Sequence, residues 1–280
     1  MIFDDRVCVL GEGPIWHPER LEFFWFDILG KRLLSPGRDW AFDEPVSAAG
    51  WVSRDELLIA SASALILFNL ETGATRKLCE LEADNPVTRS NDGRADSHGG
   101  FWIGTMGFNA EPGAGAIYRY YRGELRQLYG QITVSNSICF SPDGRTAYFT
   151  DTPTRQIMRV ELAQADGWPI GAPEACVDLT AEGLLPDGCV VDTDGNLWSA
   201  QWGAGRVACY GTDGTFRKAV DLPVDKTTCP AFGGAGMAQM LVTSASADMT
   251  APELAAAPDS GKTFLVDPGA TGRAEHRVIL

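Results

Sequence analysis

The apolar run Phe101-Trp102-Ile103-Gly104, preceded by the turn sequence Asp96-Ser97-His98-Gly99-Gly100, is one copy of a pattern that recurs along the chain. Such runs are four to eight residues long, rich in β-branched and aromatic residues, and bounded by Gly, Pro and Asp. This pattern predicts short strands separated by turns. Long helical periodicity is nearly absent, and the one predicted helix covers residues 251–257.

Six of these runs carry a large apolar anchor. The anchors are Trp25, Leu58, Trp102, Phe149, Trp198 and Leu241. Successive anchors lie 33 to 49 residues apart, and six units of about 47 residues fit the 280-residue chain end to end. A repeat of about 40–50 residues with four short strands is what a β-propeller blade requires. A β-sandwich with irregular strands would show similar spacing, so spacing alone leaves two all-β folds open. No segment is typical of a linker, and we expect one domain over residues 1–280.

Composition excludes several classes of partner. The chain has 37 acidic and 23 basic residues, a formal net charge of −14. A protein of that charge lacks the basic face that binding to nucleic acid or an anionic membrane requires. No apolar stretch approaches the roughly 20 residues of a membrane span, and the first residues lack the pattern of a secretory signal. We therefore expect a cytoplasmic protein that binds neither nucleic acid nor membranes.

The cysteines indicate no covalent framework. There are seven, scattered along the chain, and no pair has Cys-x-x-Cys spacing. An odd, dispersed set argues against a disulfide scaffold and against a zinc ribbon. Most are predicted to be small buried residues.

In four of the six units, polar side chains occur at a similar distance before the anchor of the unit. Glu12 lies between two glycines, Arg89 and Asn91 fall in one cluster, and Asn136 and Asp187 precede later anchors. We expect them in loops before inner strands, where loops of all propeller blades converge on one mouth of the channel. Two carboxylates and one amide oxygen suit hard cations such as Ca²⁺, Mg²⁺ or Mn²⁺. Each residue alone is also ordinary turn chemistry, so this pattern does not by itself decide between a site and a set of turns.

A family resemblance adds to this pattern. Its motifs include Gly11-Glu12-Gly13-Pro14-Ile15-Trp16, Arg89-Ser90-Asn91-Asp92-Gly93, Gly104-Thr105-Met106, Ser135-Asn136, Tyr148-Phe149-Thr150-Asp151, Pro186-Asp187-Gly188 and Phe232-Gly233-Gly234. In this order they resemble the SMP-30/gluconolactonase/regucalcin-like family, and the likeness covers nearly the whole chain. The resemblance implies a six-bladed β-propeller with one divalent metal in its channel and a sugar lactone as the small-molecule partner.

The resemblance also implies roles for individual residues. Glu12, Asn136 and Asp187 correspond to the metal ligands, Asp187 also matches the general base, and Arg89 and Asn91 match residues that contact the substrate. The implied metal is Ca²⁺ in the first place, with Zn²⁺, Mn²⁺ and Mg²⁺ as alternatives. We expect a metal-dependent lactonase that opens a sugar-acid lactone by attack of a metal-activated water on the ring ester. The alternative is a regucalcin-like calcium-binding regulatory protein with secondary lactonase activity.

The chain differs from the resembled family at two positions, and three further residues are expected near the site. Many members of the family have Pro and Gly where this chain has Ser90 and Ser137, and Ser137 alters the backbone freedom beside Asn136. Trp16, Trp202 and Asp248 are further candidates for the lining of the pocket. No feature of the sequence indicates an oligomeric state.

Overall fold

The chain forms six four-stranded antiparallel sheets in a computed structural model that describes residues 1–280. The strands of the first three sheets are β2 (Gly11–His17), β3 (Glu22–Asp27), β4 (Arg32–Ser35) and β5 (Arg38–Ala41); β6 (Val46–Ser53), β7 (Glu56–Ser61), β8 (Ala64–Asn69) and β9 (Thr75–Glu80); and β10 (Thr88–Ala95), β11 (Phe101–Gly107), β12 (Gly115–Tyr121) and β13 (Glu124–Ile132). We call these sheets blades 1, 2 and 3.

The other three sheets are blades 4, 5 and 6. Their strands are β14 (Ser135–Phe140), β15 (Thr146–Asp151), β16 (Gln156–Leu162) and β17 (Pro169–Asp178); β18 (Leu185–Val191), β19 (Leu197–Trp202), β20 (Arg206–Tyr210) and β21 (Phe216–Asp221); and β22 (Thr227–Gly233), β23 (Gln239–Ser244) and β24 (Thr263–Val266) with β1 (Ile2–Asp4). The helix α1 covers Ala251–Ala256, where the sequence predicts one.

The first strands of the blades form a closed ring. β2, β6, β10, β14, β18 and β22 each contact the next, and β22 contacts β2. The molecule is therefore a six-bladed β-propeller, and the predicted fold is confirmed. The expectation of six units end to end is wrong in one respect, because β1 pairs with β24 and completes the last blade from the start of the chain. This pairing closes the ring by joining the two ends of the chain.

The apolar core lies between the blades. It consists of six clusters, one at each interface between neighbouring blades. All six anchors lie in the second strand of their blades, where Trp25, Trp102 and Trp198 are completely buried. The turns before two of these strands repeat one detail: Asp96 accepts a hydrogen bond from the Trp102 indole at 3.2 Å, and Asp192 accepts one from Trp198 at 2.9 Å.

All seven cysteines are free, and five of them are buried. This confirms the prediction that most of them are buried. No helix is long and apolar enough to cross a membrane.

The last residues of the chain, 267–280, cross one end of the ring. Their backbone bonds the turn of blade 5 at Thr193, the strand edge of blade 2 at Trp51 and the turn of blade 3 at Gly99, over 2.8 to 2.9 Å. Val278 is 1% exposed and belongs to the cluster between blades 2 and 3. The inner strands end at this side of the ring, so we call it the rear and the opposite side, where the inner strands begin, the mouth.

Candidate active site

The polar residues singled out in the sequence lie inside the inner strands, not in loops before them. Glu12 is in β2, Arg89 and Asn91 are in β10, Asn136 is in β14, and Asp187 is in β18. Each strand shifts register at this point, between Glu12 and Ile15, Ser90 and Gly93, Asn136 and Cys139, and Pro186 and Cys189. A bulge of this kind re-aims a side chain away from the regular alternation of a strand. The prediction of loops was wrong for that reason.

These five side chains meet at the floor of one pocket at the mouth, which has a volume of about 710 Å³. Each is only 3 to 5% exposed. The walls include Trp202 and Asp248, as the sequence suggests, together with Met106, Phe108, Asn109, Thr152 and Arg155. Trp16 does not line the pocket, because it packs against Phe23 with ring centroids 4.7 Å apart.

Glu12 and Asp187 place two buried carboxyl groups against each other. Burial and then the charge of Asp92 raise the pKa of Glu12 to about 8. Burial and then the charge of Glu12 raise the pKa of Asp187 well above its ordinary value. Glu12 accepts a hydrogen bond from the Gly13 amide at 3.0 Å, whereas Asp187 Oδ1 is buried without any partner. Two like charges and an orphaned oxygen in a desolvated site are unfavourable unless a proton or a cation lies between them.

Gly13 allows the backbone turn that aims Glu12 inward. Its φ is +51°, and a Cβ atom at this position would lie 2.2 Å from the carbonyl oxygen of Ser47. Only glycine fits that space and adopts that conformation without strain. The Gly-Glu-Gly sequence is thus a geometric requirement of the bulge in β2.

Thr152 fixes the orientation of Asn136. Its hydroxyl donates to the carbonyl oxygen of Pro186 at 2.8 Å and accepts from Asn136 Nδ2 at 3.0 Å. Because the hydroxyl has one proton and uses it on Pro186, only the NH₂ end of the amide can face it. The Asn136 Oδ1 atom therefore faces the pocket, where it accepts from Asn91 Nδ2 at 3.1 Å. The sequence analysis did not single out Thr152, since its partners lie 16 and 34 residues away.

Arg89 and Asn91 form a joined pair of polar groups beside the carboxylates. Arg89 donates to Asn91 Oδ1 at 2.7 Å and to the Ser90 carbonyl at 2.9 Å. Burial lowers the pKa of Arg89 to about 10, against the opposing effect of Glu12, so the guanidinium is charged at neutral pH. Its Nε is buried without a partner. This free N–H is a donor available to a ligand oxygen.

Ser137 has a left-handed backbone. Its φ is +59°, and its hydroxyl donates to the carbonyl oxygen of Asp187 at 2.5 Å. Glycine adopts this conformation more readily than serine does, but the serine side chain adds a bond between blades 4 and 5. Ser137 thus ties the strand of Asn136 directly to the strand of Asp187.

The donor set of the floor fits a hard divalent cation. The set consists of the carboxylates of Glu12 and Asp187 and the amide oxygen of Asn136. It is not a group of three His, Cys, Asp or Glu side chains, of which none is arranged to hold a metal ion. The orphaned Asp187 Oδ1 and the mutual repulsion of Glu12 and Asp187 are the features that a cation would resolve. Oxygen ligands with a charge of −2 suit Ca²⁺, Mg²⁺ and Mn²⁺.

Comparison with known proteins places the chain among lactonases and regucalcins. The model of the SMP-30/Gluconolactonase/LRE-like region matches residues 10–246. An L-arabinolactonase of Azospirillum brasilense is 35% identical over 98% of this chain and 93% of that protein. A pentonolactonase of Haloferax volcanii is 32% identical over 98% of this chain and 96% of that protein. The crystal structure of a calcium-binding protein, regucalcin, from Agrobacterium tumefaciens superposes with a TM-score of 0.96 at 40% identity, covering 100% of this chain and 97% of that one.

Proposed function

The chain belongs to the SMP-30/Gluconolactonase/LRE-like family, and we propose that it is a metal-dependent lactonase that opens a sugar lactone. One observation carries the proposal: the facing carboxyl groups of Glu12 and Asp187, with an orphaned oxygen, lie beside Arg89 and Asn91 at the floor of one pocket. The named lactonase relatives, each covered over more than nine tenths of its length, support the reaction.

We assign Glu12, Asn136 and Asp187 as the residues that hold the metal, with Ca²⁺ as the first candidate and Mg²⁺, Mn²⁺ and Zn²⁺ as alternatives. A divalent cation bound there would polarise a carbonyl oxygen and lower the pKa of a water, which is worth several kcal/mol to ester hydrolysis. Thr152 and Gly13 support this role, because they hold the Asn136 amide and the Glu12 carboxylate in place.

Asp187 is proposed as the general base. In lactone hydrolysis, water adds to the ring carbonyl, the ring C–O bond breaks, and the proton taken from the water is returned to the leaving hydroxyl oxygen. A carboxylate has two oxygens, so Asp187 can bind the metal through one and handle this proton with the other. Asp187 Oδ1 has no partner in the chain, so this oxygen is available for one of the two roles.

Arg89 and Asn91 are proposed to bind the substrate. The buried Nε of Arg89 donates without changing protonation state, so it can hold the carbonyl or a sugar hydroxyl throughout the reaction. Asn91 carries both donor and acceptor atoms, which suits a polyol. A permanent positive charge beside the ester also stabilises the oxyanion that forms during attack.

The test is hydrolysis of a panel of neutral aldonolactones by the chelated protein, before and after resupply of individual metals. We expect no turnover after chelation, restoration by at least one divalent metal, and preference for one γ- or δ-lactone. Full activity in excess chelator would contradict the metal dependence. No activity on any lactone with any metal would contradict the lactonase assignment.

A calcium-binding regulatory protein is the second candidate, favoured by the resemblance to the structure described as a calcium-binding protein. It requires the same three ligands, so only the assay separates the two. Tight Ca²⁺ binding with turnover far below that obtained with other metals would favour the regulatory role.

A further inference from the structure

Arg155 presents a cation to the pocket that the chain itself leaves without a partner. It lines the same pocket as the five floor residues, yet its guanidinium takes part in no hydrogen bond and no salt bridge. Its Nε is shielded from solvent. The other charged wall residue, Asp248, is exposed and lies in blade 6, two blades away from Arg155, with which it does not pair. A shielded N–H without an acceptor has lost the hydrogen bond to water that it makes in the unfolded chain, and this loss is unfavourable.

The backbone holds Arg155 in an unusual and fixed position. Arg155 follows the 3-10 helix Thr152–Thr154 and has φ +59° and ψ +21°, a left-handed conformation that costs a non-glycine residue energy. Its N–H donates to the Thr152 carbonyl at 3.0 Å, and its own carbonyl accepts from Leu179 at 2.9 Å. Since Thr152 also bonds Asn136, Arg155 is positioned relative to a proposed metal ligand.

We propose that Arg155 is a specificity-determining residue that binds an acidic group, such as a carboxylate, at the end of the lactone remote from the ring ester. The inference rests on the proposed function and names its substrate class as lactones that carry a negative charge. A guanidinium fork matches the two oxygens of a carboxylate and binds them with paired, charge-assisted hydrogen bonds. Arg89, at the floor, already donates to Asn91 and Ser90. Arg155 is therefore the arginine of the pocket whose guanidinium has no partner in the chain.

The test compares glucono-1,4-lactone with glucaro-1,4-lactone, which share a ring and differ in a CH₂OH or a carboxylate at C6. We expect wild-type protein to have the higher kcat/KM for glucaro-1,4-lactone. Arg155→Met should lower that value by about 10- to 100-fold, mainly through KM, the effect of losing a charged hydrogen-bond partner. Its kcat/KM for glucono-1,4-lactone should change less than about twofold, and Arg155→Lys should restore part of the loss because it keeps the charge but not the fork.

Arg145→Met is the matched control, since Arg145 is exposed, has no side-chain hydrogen bond and lies outside this pocket. It should leave both lactones unaffected. Equal losses on both lactones in Arg155→Met, or a wild-type preference for the neutral lactone, would overturn the inference while leaving the lactonase assignment standing. Absence of turnover of either lactone by wild-type protein with every metal would instead contradict the proposed function.

Discussion

The two ends of the channel are built from the same inner strands but differ in how their buried charged groups are paired. At the rear, Arg94 of β10 is paired with Glu275 of the C-terminal tail, and the remaining cavity is only about 40 Å³. At the mouth, Glu12 and Asp187 face each other at the floor of a pocket of about 710 Å³. The Glu275 carboxylate raises the pKa of Arg94 against the effect of burial, whereas at the mouth burial and then the charge of Glu12 raise the pKa of Asp187.

This difference distinguishes a site whose charges are paired within the chain from a site whose polar groups are available to a ligand. A buried charge is tolerated when the chain supplies its partner, as Glu275 does for Arg94 at the rear. At the mouth, Asp187 Oδ1 and the Nε atoms of Arg89 and Arg155 have no partner in the chain, and these three residues line the pocket. β10 belongs to both ends, because Arg89 and Asn91 lie at the mouth and Arg94 lies at the rear.

The largest effect is expected at the mouth, from Asp187→Asn. This change removes a proposed negative metal ligand and the proposed base together, so kcat/KM should fall by about 10³-fold or more, as for loss of a general base with its metal contact. Metal affinity, measured by titration calorimetry, should fall as well. Asp143→Asn, at an exposed turn, is the control and should retain both properties. Full activity in Asp187→Asn would contradict the assignment.

The strongest effect at the rear is expected from Glu275→Ala. Arg94 and Glu275 side chains are 10% and 9% exposed, so the change leaves a buried guanidinium without its partner. Breaking such a pair costs about 3–5 kcal/mol of unfolding free energy, which denaturant titration would measure. KM for the lactone should stay unchanged at a temperature where the variant is folded.

The exposed pair of Arg126 and Glu124 provides a matched control. Its side chains are 51% and 55% exposed, and Glu124→Ala should change stability by less than about 1 kcal/mol. A similar small effect of Glu275→Ala would mean that the rear does not depend on this pair, and the contrast between the two ends would fail.

A smaller effect on the mouth is expected from Thr152→Val. The change keeps the shape but removes the hydroxyl that orients the Asn136 amide, so metal affinity should fall by about 10- to 100-fold, as for other residues that orient metal ligands. Thr154→Val is the control, because its hydroxyl is exposed and bonds only backbone groups outside the floor of the pocket, the Asp151 carbonyl at 2.7 Å and the Gln156 amide at 3.4 Å. Equal metal affinity in the two variants would show that Thr152 does not orient the ligand.

Much of the architecture was predictable, because strand anchors and turns are local signals. The Trp102 and Trp198 runs and their Asp-containing turns lie where the sequence places them. The family resemblance directed attention to Glu12, Arg89, Asn91, Asn136 and Asp187, and the structure brings all five into one pocket. Their functional roles remain predictions.

The features that the sequence did not predict depend on contacts between residues that lie far apart along the chain. Whether Asn136 lies in a loop or at a bulge depends on pairing with β15, and the function of Thr152 depends on Pro186 in the next blade. Closure by β1 and the crossing of the tail likewise join residues more than 200 positions apart, such as Trp51 and Glu275. Local composition carries no record of such contacts.

A further prediction concerns pH at the mouth. The pKa of Glu12 is raised to about 8, so below that pH the carboxyl pair retains a proton that a cation must displace. Metal affinity should therefore rise from pH 6 to pH 8 by up to about tenfold per unit for each proton released. Calorimetry in buffers of different ionisation enthalpy would count the protons, and pH-independent affinity would contradict the assignment.

The same shift makes a prediction for stability without metal. A carboxyl group with a raised pKa binds more protons in the folded than in the unfolded state between its ordinary value and pH 8. The contribution of Glu12 to folding therefore decreases as pH rises through that window. Glu12→Gln should flatten this dependence in denaturant titrations of the chelated protein, and an unchanged slope would assign it to other groups.

The smallest effect is expected at Ser137, which joins the strands of Asn136 and Asp187, two of the proposed metal ligands. Ser137→Ala keeps the left-handed strain and leaves the Asp187 carbonyl without its donor, a loss of about 1–2 kcal/mol. Ser137→Gly loses the same bond but relieves a strain of similar size, so its stability should lie within about 1 kcal/mol of wild type. Glycine should therefore be better tolerated than alanine here, against the usual order. At Ser63, which has a hydroxyl bond to Glu44 at 2.8 Å but no positive φ, alanine should be the better tolerated. The same order at both positions, in denaturant titrations, would show that backbone strain at Ser137 does not determine which residue is tolerated there.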